Sequence, residues 1–331
     1  MKAAARIILI LIVLALLADG LYRFFFWQHD RQAFSGPLVS LVDKIDSTGA
    51  DILYLGESSN HTFGLDDADT AWISEMIARQ YPGLQVRDMT HDASHAEIYY
   101  QLLRNLQPST SVTTVVVTMN LRSFGPDWIY STLETVLQKR LVMLRNRPPL
   151  VNRAILSFKA YDIKTTPERY AQMRHYWDRH PLPRHPSVPA WADSLNTDST
   201  TMSGTFVRSY GFIIDTLHNP RVHDFDRIVR LAQQRGWNLM FNLMAEDVEW
   251  ADSLVGPDLT GLMRSNAQML EQRYSRLGVT VVNNIDAVPD SLFRDRDWTT
   301  EHYIQQGRQI IADNVSQALR RFHNADYRPI P

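Results

Sequence analysis

The chain has 331 residues, 44% of them hydrophobic and 21% charged, which suits one large globular domain or two small ones. Its 34 basic and 36 acidic side chains leave a net charge of −2, so nothing points to nucleic acid or another polyanion as a partner. Cysteine is absent, which excludes disulfides, thiolate catalysis and Cys-ligated zinc or iron–sulfur centres.

At the N-terminus, Lys2 and Arg6 precede an uninterrupted apolar run from Ile7 to Ala18, and an aromatic stretch from Phe24 to Trp27 follows. A positive start before an apolar core is how an export signal begins. The run alone, at about 1.5 Å per residue, falls short of the roughly 30 Å hydrocarbon core and resembles a signal peptide. With the preceding alanines and the aromatic belt it becomes long enough to span. Cleavage after Ala18 would put Leu16 where a small residue is preferred, so a retained signal anchor over residues 1–27 is expected, with a cleaved peptide as the alternative. Positive charge holds that end in the cytoplasm and places the body outside, in the periplasm or at the cell surface.

Residues 28–48 read as a mixed polar spacer, and residues 49–325 as one domain. Strand-like and helix-like segments alternate there: strand Asp51–Leu55, helix Asp69–Gln80, a weaker strand Gln85–Met89, helix Ala96–Leu106, and the β-branched strand Thr113–Met119. Further on come helix Arg221–Gln234, strand Asn238–Leu243, helix Leu259–Arg276, strand Val279–Asn283 and a last helix Ile304–Phe322. Such alternation predicts an α/β domain whose parallel sheet is covered by helices on both faces. Residues 124–220 break the rhythm. Their first half is helical in pattern (Tyr130–Leu144), and the second is rich in Pro, His, Trp and Ser, as at Pro181, Pro183, Pro186, Pro189 and Trp191. This insertion either shapes a substrate site beyond the strand ends or merely elaborates the packing.

Three short segments carry candidate chemistry. Gly56-Glu57-Ser58 follows the first strand, where a serine sits at a turn toward a helix with backbone N–H groups nearby. Asn120 follows the buried third strand and could donate to an oxyanion from the same sheet edge. Asp297-Trp298-Thr299-Thr300-Glu301-His302 precedes the last helix, so His302 could act as general base for Ser58. Taken singly, each residue is as well explained as a turn or capping residue. His91 and His95, four apart, would share a helix face and could ligate a metal, but a turn leading into a helix explains them better. His175, His180 and His185 read as surface residues. No cofactor is called for.

In combination, these segments resemble the SGNH/GDSL hydrolase superfamily over roughly Asp51–Phe322. Its Gly-Asp-Ser block is matched here by Gly56-Glu57-Ser58, its oxyanion-hole asparagine by Asn120, and its late histidine with a following glycine by His302 and Gly307. The closing pattern is broadly similar to envelope-associated members, the D-alanyl-lipoteichoic acid esterase-like and exopolysaccharide acetyltransferase-like branches. The resemblance implies a flavodoxin-like three-layer α/β/α sandwich with Ser58 as nucleophile and His302 as base. It also implies an acyl-ester substrate, a carbohydrate or lipid, with water or a sugar hydroxyl accepting the acyl group. The family's acid lies three residues before the histidine, where this chain has Thr299; Asp297 is the expected substitute, with Glu301 or a Ser–His dyad as alternatives. The family's second-block glycine falls at Ala93 or Ser94, so the oxyanion hole is expected from Ser58, Ala93 and Asn120. A non-catalytic scaffold of a cell-envelope assembly, keeping this architecture, is the alternative function.

Overall fold

The computed structural model describes residues 2–162 and 201–329. Two long helices come first, α1 (Lys2–Phe25) and α2 (Trp27–Thr48). The sheet is built from β1 (Ile52–Gly56), β2 (Val86–Thr90), β3 (Thr114–Met119), β4 (Asn238–Leu243) and β5 (Thr280–Asn283). Its order is β2-β1-β3-β4-β5, and every pairing is parallel. This is the flavodoxin-like doubly wound order, in which strand order reverses beside β1.

Alternation along the strands divides the interior into two cores. Leu53, Leu55, Val115, Val117 and Phe241 face one way, packing against α2 and against α5 (Ala96–Asn105), α10 (Pro220–Arg235) and α12 (Pro257–Arg276). Ile52, Tyr54, Val116 and Met240 face the other, against α4 (Ile73–Gln80) and α13 (Gln305–His323). A strand covered on both faces needs apolar residues at every position, which is why Val115-Val116-Val117 is fully buried. The three-layer α/β/α sandwich expected from the sequence is therefore present.

The segment read as a polar spacer is instead helix α2, and it belongs to the core. Leu38, Val39, Val42 and Ile45 recur at helical spacing among polar neighbours and are buried in the first core. The short apolar stripe is diluted by the solvent face, which hides it from a reading of composition. The insertion is likewise structured where it is described. The expected helix Tyr130–Leu144 is α7 (Thr132–Leu141), prolonged by a 3-10 turn at Val142–Leu144. Beside α7 lie α6 (Pro126–Ile129), α8 (Pro149–Ser157) and α9 (Met202–Tyr210). Pro181, Pro183, Pro186, Pro189, Trp191, His175, His180 and His185 lie outside the described residues. Two other short helices are α3 (Ser58–His61), directly after β1, and α11 (Val248–Leu254), shortly after β4.

One helix among the described residues is long and apolar enough to cross a membrane, Ala3–Phe25, with a mean hydropathy of 2.4 and no burial in its apolar window. If α2 is part of the core rather than a tether, Ile45→Ala lowers unfolding free energy by about 2–5 kcal/mol in denaturant titration. Asp43→Ala, on the exposed side of the same helix, shifts it by no more than about 0.5 kcal/mol.

Candidate active site

The carboxyl ends of β1, β2 and β3 lie side by side, and Ser58, Ala93 and Asn120 follow them within a few residues. At the first of these ends the chain turns tightly. A Cβ on Gly56 would lie 2.8 Å from that of Asn60, so a side chain there would displace the helix that begins at Ser58. Buried Asn60 fixes this turn: its amide donates to Ser74 Oγ at 3.1 Å and Thr90 Oγ1 at 2.7 Å, and accepts from the Ser74 N–H at 2.9 Å. Glu57 caps the same turn, its Oε1 accepting from the Ser59 N–H at 3.0 Å. Ser58 is thereby presented at the sheet's edge.

His302 meets it from the far end of the chain. His302 Nε2 lies 2.9 Å from Ser58 Oγ, and His302 Nδ1 lies 2.6 Å from Asp295 Oδ2. The acid beside the imidazole is thus Asp295, and the expectation of Asp297 is corrected. Asp297 is exposed and has no hydrogen bond to the ring. The reason is local backbone geometry. Phe293 and Tyr303 form an antiparallel bridge, with the Arg294 N–H donating to His302 O at 2.9 Å and the Ile304 N–H to Leu292 O at 3.0 Å. This fold-back sets Asp295 alongside His302, whereas residues 296–299 form the bend between them. The Thr300 hydroxyl also donates to Asp295 Oδ2, at 2.8 Å, holding the carboxylate toward the ring. Gly307 permits the same fold-back, because a Cβ there would stand 2.7 Å from Tyr303 Cβ.

Glu301, the other acid considered, is committed elsewhere. It is fully buried and takes a two-pronged contact from Arg122, Nε to Oε1 at 2.8 Å and Nη2 to Oε2 at 2.7 Å. Arg122 Nη1 donates to Thr299 O at 2.5 Å, and its guanidinium lies 4.7 Å from the Trp128 ring centre. Thr299, three residues before His302, bonds the Ser209 hydroxyl at 3.0 Å. Arg122 therefore ties the loop after β3 to the loop carrying His302. Glu246 lies against the same cluster, accepting from Tyr210 Oη at 2.5 Å and the Leu121 N–H at 3.2 Å. Burial and the neighbouring Glu301 charge push its carboxyl well above the ordinary range, favouring the protonated form.

The two further residues expected to serve an oxyanion, Ala93 and Asn120, follow β2 and β3, the strands on either side of β1. Ala93 has a backbone φ of 57°, the left-handed conformation in which glycine is usual, so the turn keeps the shape that a glycine would have given it. The Asn120 side chain is nearly buried, and its Oδ1 has no hydrogen-bond partner among the described residues. Glu57, to which the sequence assigns no role, accepts from Ser58 Oγ through Oε2 at 2.8 Å. The serine hydroxyl thus sits between two acceptors, Glu57 and His302. A carboxylate in the residue directly before Ser58 is the sequence signal that points to this contact.

His91 and His95 do not share a ligand. His91 Nε2 lies 2.5 Å from Arg140 Nη1. His95 is enclosed, with Nδ1 2.9 Å from Arg221 Nη1 and Nε2 3.0 Å from Glu134 Oε2. Burial first, then the Arg221 charge, holds the His95 pKa below its ordinary value of 6.5. Beside His302, a cleft is lined by Phe206, Tyr210, Trp250, Trp298 and Thr300, with Asp295 on its wall. Asp247 also lines it, its carboxyl raised by burial to about 7.

No family model matches this chain, and no curated protein matches it. Among solved structures it is similar to a GDSL-like lipase from Bacteroides thetaiotaomicron, with 9% identity and a TM-score of 0.35 over 85% of this chain and 97% of that one. It is also similar to a Bacteroides fragilis protein described as an acylhydrolase, with 10% identity and a TM-score of 0.32 over 82% of this chain and 86% of that one.

Two stability measurements follow from these contacts. Arg122→Met leaves Glu301 buried and unpaired, and is expected to cost about 3–5 kcal/mol, with much of the loss recovered in Arg122→Met/Glu301→Leu. Equal losses in the single and double variants would mean that the pair itself carries no such role. His95 has a depressed pKa in the fold, so its contribution is complete above the unfolded value of 6.5 and is lost as pH falls below it. Urea titrations at about pH 7.5 and about pH 5.5 should show a smaller acid loss in His95→Gln than in the unaltered chain.

Proposed function

We propose that the chain is a serine hydrolase of the SGNH type, held to a membrane by α1. Its nucleophile is Ser58, its base His302, and its acid Asp295. The observation that carries this reading is the unbroken run Asp295–His302–Ser58, with contacts of 2.6 and 2.9 Å, at the carboxyl edge of a parallel sheet. Ligands in open α/β sheets bind at that edge.

The chemistry follows from the contacts. Asp295 holds the Nδ1–H of His302, so Nε2 presents its lone pair to Ser58 Oγ. As Oγ attacks an ester carbonyl, its proton passes to Nε2 and the carbonyl oxygen becomes an oxyanion. The N–H groups of Ser58 and Ala93 and the amide of Asn120 are the donors assigned to it. Collapse breaks the bond to the leaving alkoxide, which takes the proton from Nε2 and leaves an acyl group on Ser58. Water or a sugar hydroxyl then gives its proton to Nε2 as it attacks the acyl carbon; the acyl–Oγ bond breaks, and Oγ takes that proton from Nε2, which restores Ser58. Water makes the protein an esterase; a carbohydrate hydroxyl makes it an O-acyltransferase. With α1 as a retained anchor and Lys2 and Arg6 on the cytoplasmic side, the site works outside the cytoplasm on an acylated envelope glycan, polymer or lipid.

A non-catalytic scaffold is the second reading, and the contact from Ser58 Oγ to Glu57 supports it, because a hydroxyl donating there does not donate to His302. A fluorophosphonate probe and an aryl acetate ester separate the two. Labelling and turnover should fall to background in Ser58→Ala and His302→Ala. Asp295→Asn should lower kcat by about 10⁴, as loss of the orienting acid does in triad enzymes. Asn120→Ala should lower it by about 10²–10³, while Asp297→Asn should leave it near the starting rate. Intact protein that never labels and never turns over an ester sinks the enzyme reading.

A further inference from the structure

The exposed apolar surface outside the site is concentrated where the N-terminal helices meet the insertion. Phe24, Phe25 and Phe26 are 83%, 64% and 59% exposed, and Phe158, at the end of α8, is 84% exposed. Val151, on the same helix, is 45% exposed. At roughly 100° per residue, Val151, Ala154, Ile155 and Phe158 fall within an arc of about 100°, while Asn152 and Leu156 lie on the opposite side and are buried. Helix α8 is thus amphipathic, its inner face packed on the body and its outer face bare.

Its attachment says what the outer face meets. The Leu150 N–H, in the first turn of α8, donates to Asp19 Oδ1 of α1 at 2.9 Å. Asp19 lies six residues, about 9 Å of helix rise, before Phe25, where the apolar stretch Ala3–Phe25 ends. The start of α8 is therefore level with the last turns of the apolar helix, not beyond them. Its other fixings keep it there. Arg153 lies 3.6 Å from Asp30 and 5.3 Å from the Phe34 ring centre, both on α2, and Trp27, Phe34 and Ile155 all pack against one small core of Val142, Met143 and Leu156. Exposed Arg147 and Lys159 flank the helix, the side chains expected where a helix meets lipid headgroups.

We infer that α8 lies in the membrane–water interface, with Val151, Ala154 and Phe158 inserted among the lipid headgroups and upper acyl chains beside α1. The inference rests on α1 being a retained span. A single span leaves a domain free to swivel and tilt; a second contact beside it sets one height and one orientation of the Ser58 edge relative to the bilayer. The occupant of the bare face is the bilayer that holds α1, because the face is continuous with that helix.

The absence of native cysteine makes the test direct. The full chain, carrying one cysteine at a time, is labelled with an environment-sensitive NBD fluorophore and reconstituted in phosphatidylcholine/phosphatidylglycerol vesicles with or without a lipid-borne quencher. Val151→Cys and Phe158→Cys should emit at shorter wavelength than Leu277→Cys and lose most of their emission to the quencher. Leu277 is an exposed position before β5, at the opposite sheet edge from β2. Ile12→Cys, within α1, reports the span itself. Quenching at Ile12 with water-like emission at Val151 and Phe158 overturns the interfacial role and leaves the anchor standing. Water-like emission at all of these positions overturns both. Ester turnover by each labelled protein reads the active site separately.

Discussion

The ion pair between Arg122 and Glu301 joins the two parts of the chain that have to meet for the site to exist. Arg122 leaves the end of β3, and Glu301 immediately precedes His302, so the pair pulls the late loop onto the sheet edge. Both side chains are nearly or fully buried. Burying two charges costs several kcal/mol each, and their attraction offsets it only with close geometry and further bonds to the remaining polar atoms. Here the two-pronged contact, the Thr299 carbonyl and the Trp128 face supply those partners. Burial and the neighbouring Glu301 raise the Glu246 carboxyl well above its ordinary range, and the Tyr210 hydroxyl and Leu121 N–H satisfy its oxygens.

A second buried arginine does similar work on the other side of His302. Arg308, fully buried on α13, donates to the carbonyls of Tyr303, Ala71 and Asp69 and to the Asp67 carboxylate. It secures the loop between α3 and α4 to the start of α13. The Tyr303 hydroxyl reaches Ala245 O at 2.8 Å, anchoring the fold-back to the end of β4. The histidine is therefore positioned by loops whose polar groups are satisfied inside the protein, which gives a defined ring orientation without a regular element to carry it.

The Ser58 turn has a different character. Its stability comes from Asn60 and Glu57, each within the local sequence, and from the close approach that Gly56 allows. Glu57 introduces a choice for the serine proton, since Oγ lies within hydrogen-bond reach of both Glu57 and His302. An aspartate at this position would be one methylene shorter, and the longer glutamate reaches the hydroxyl with its Oε2.

Much of the architecture was legible before any coordinates. The order of strands and helices, the buried β3 and the placement of Ser58, Asn120 and His302 near strand or helix ends all follow from hydrophobic periodicity and turn residues, which act over a few residues and leave a local mark. The apolar run at the N-terminus belongs to the same category. Three features did not. Helix α2 hides a four-residue core stripe among polar residues, and only the sheet it covers shows which face matters. Asp295, rather than Asp297 or Glu301, stands at the imidazole because an antiparallel bridge folds the loop back, and spacing along the chain does not encode distance across a fold-back. Glu301 is next to His302 in sequence, yet successive side chains on an extended segment point to opposite sides, so it turns inward to Arg122. Local patterning determined which elements form and where their ends lie; the fold-back of the late loop set Asp295 at the histidine, and the buried pair with Arg122 took Glu301 away from it.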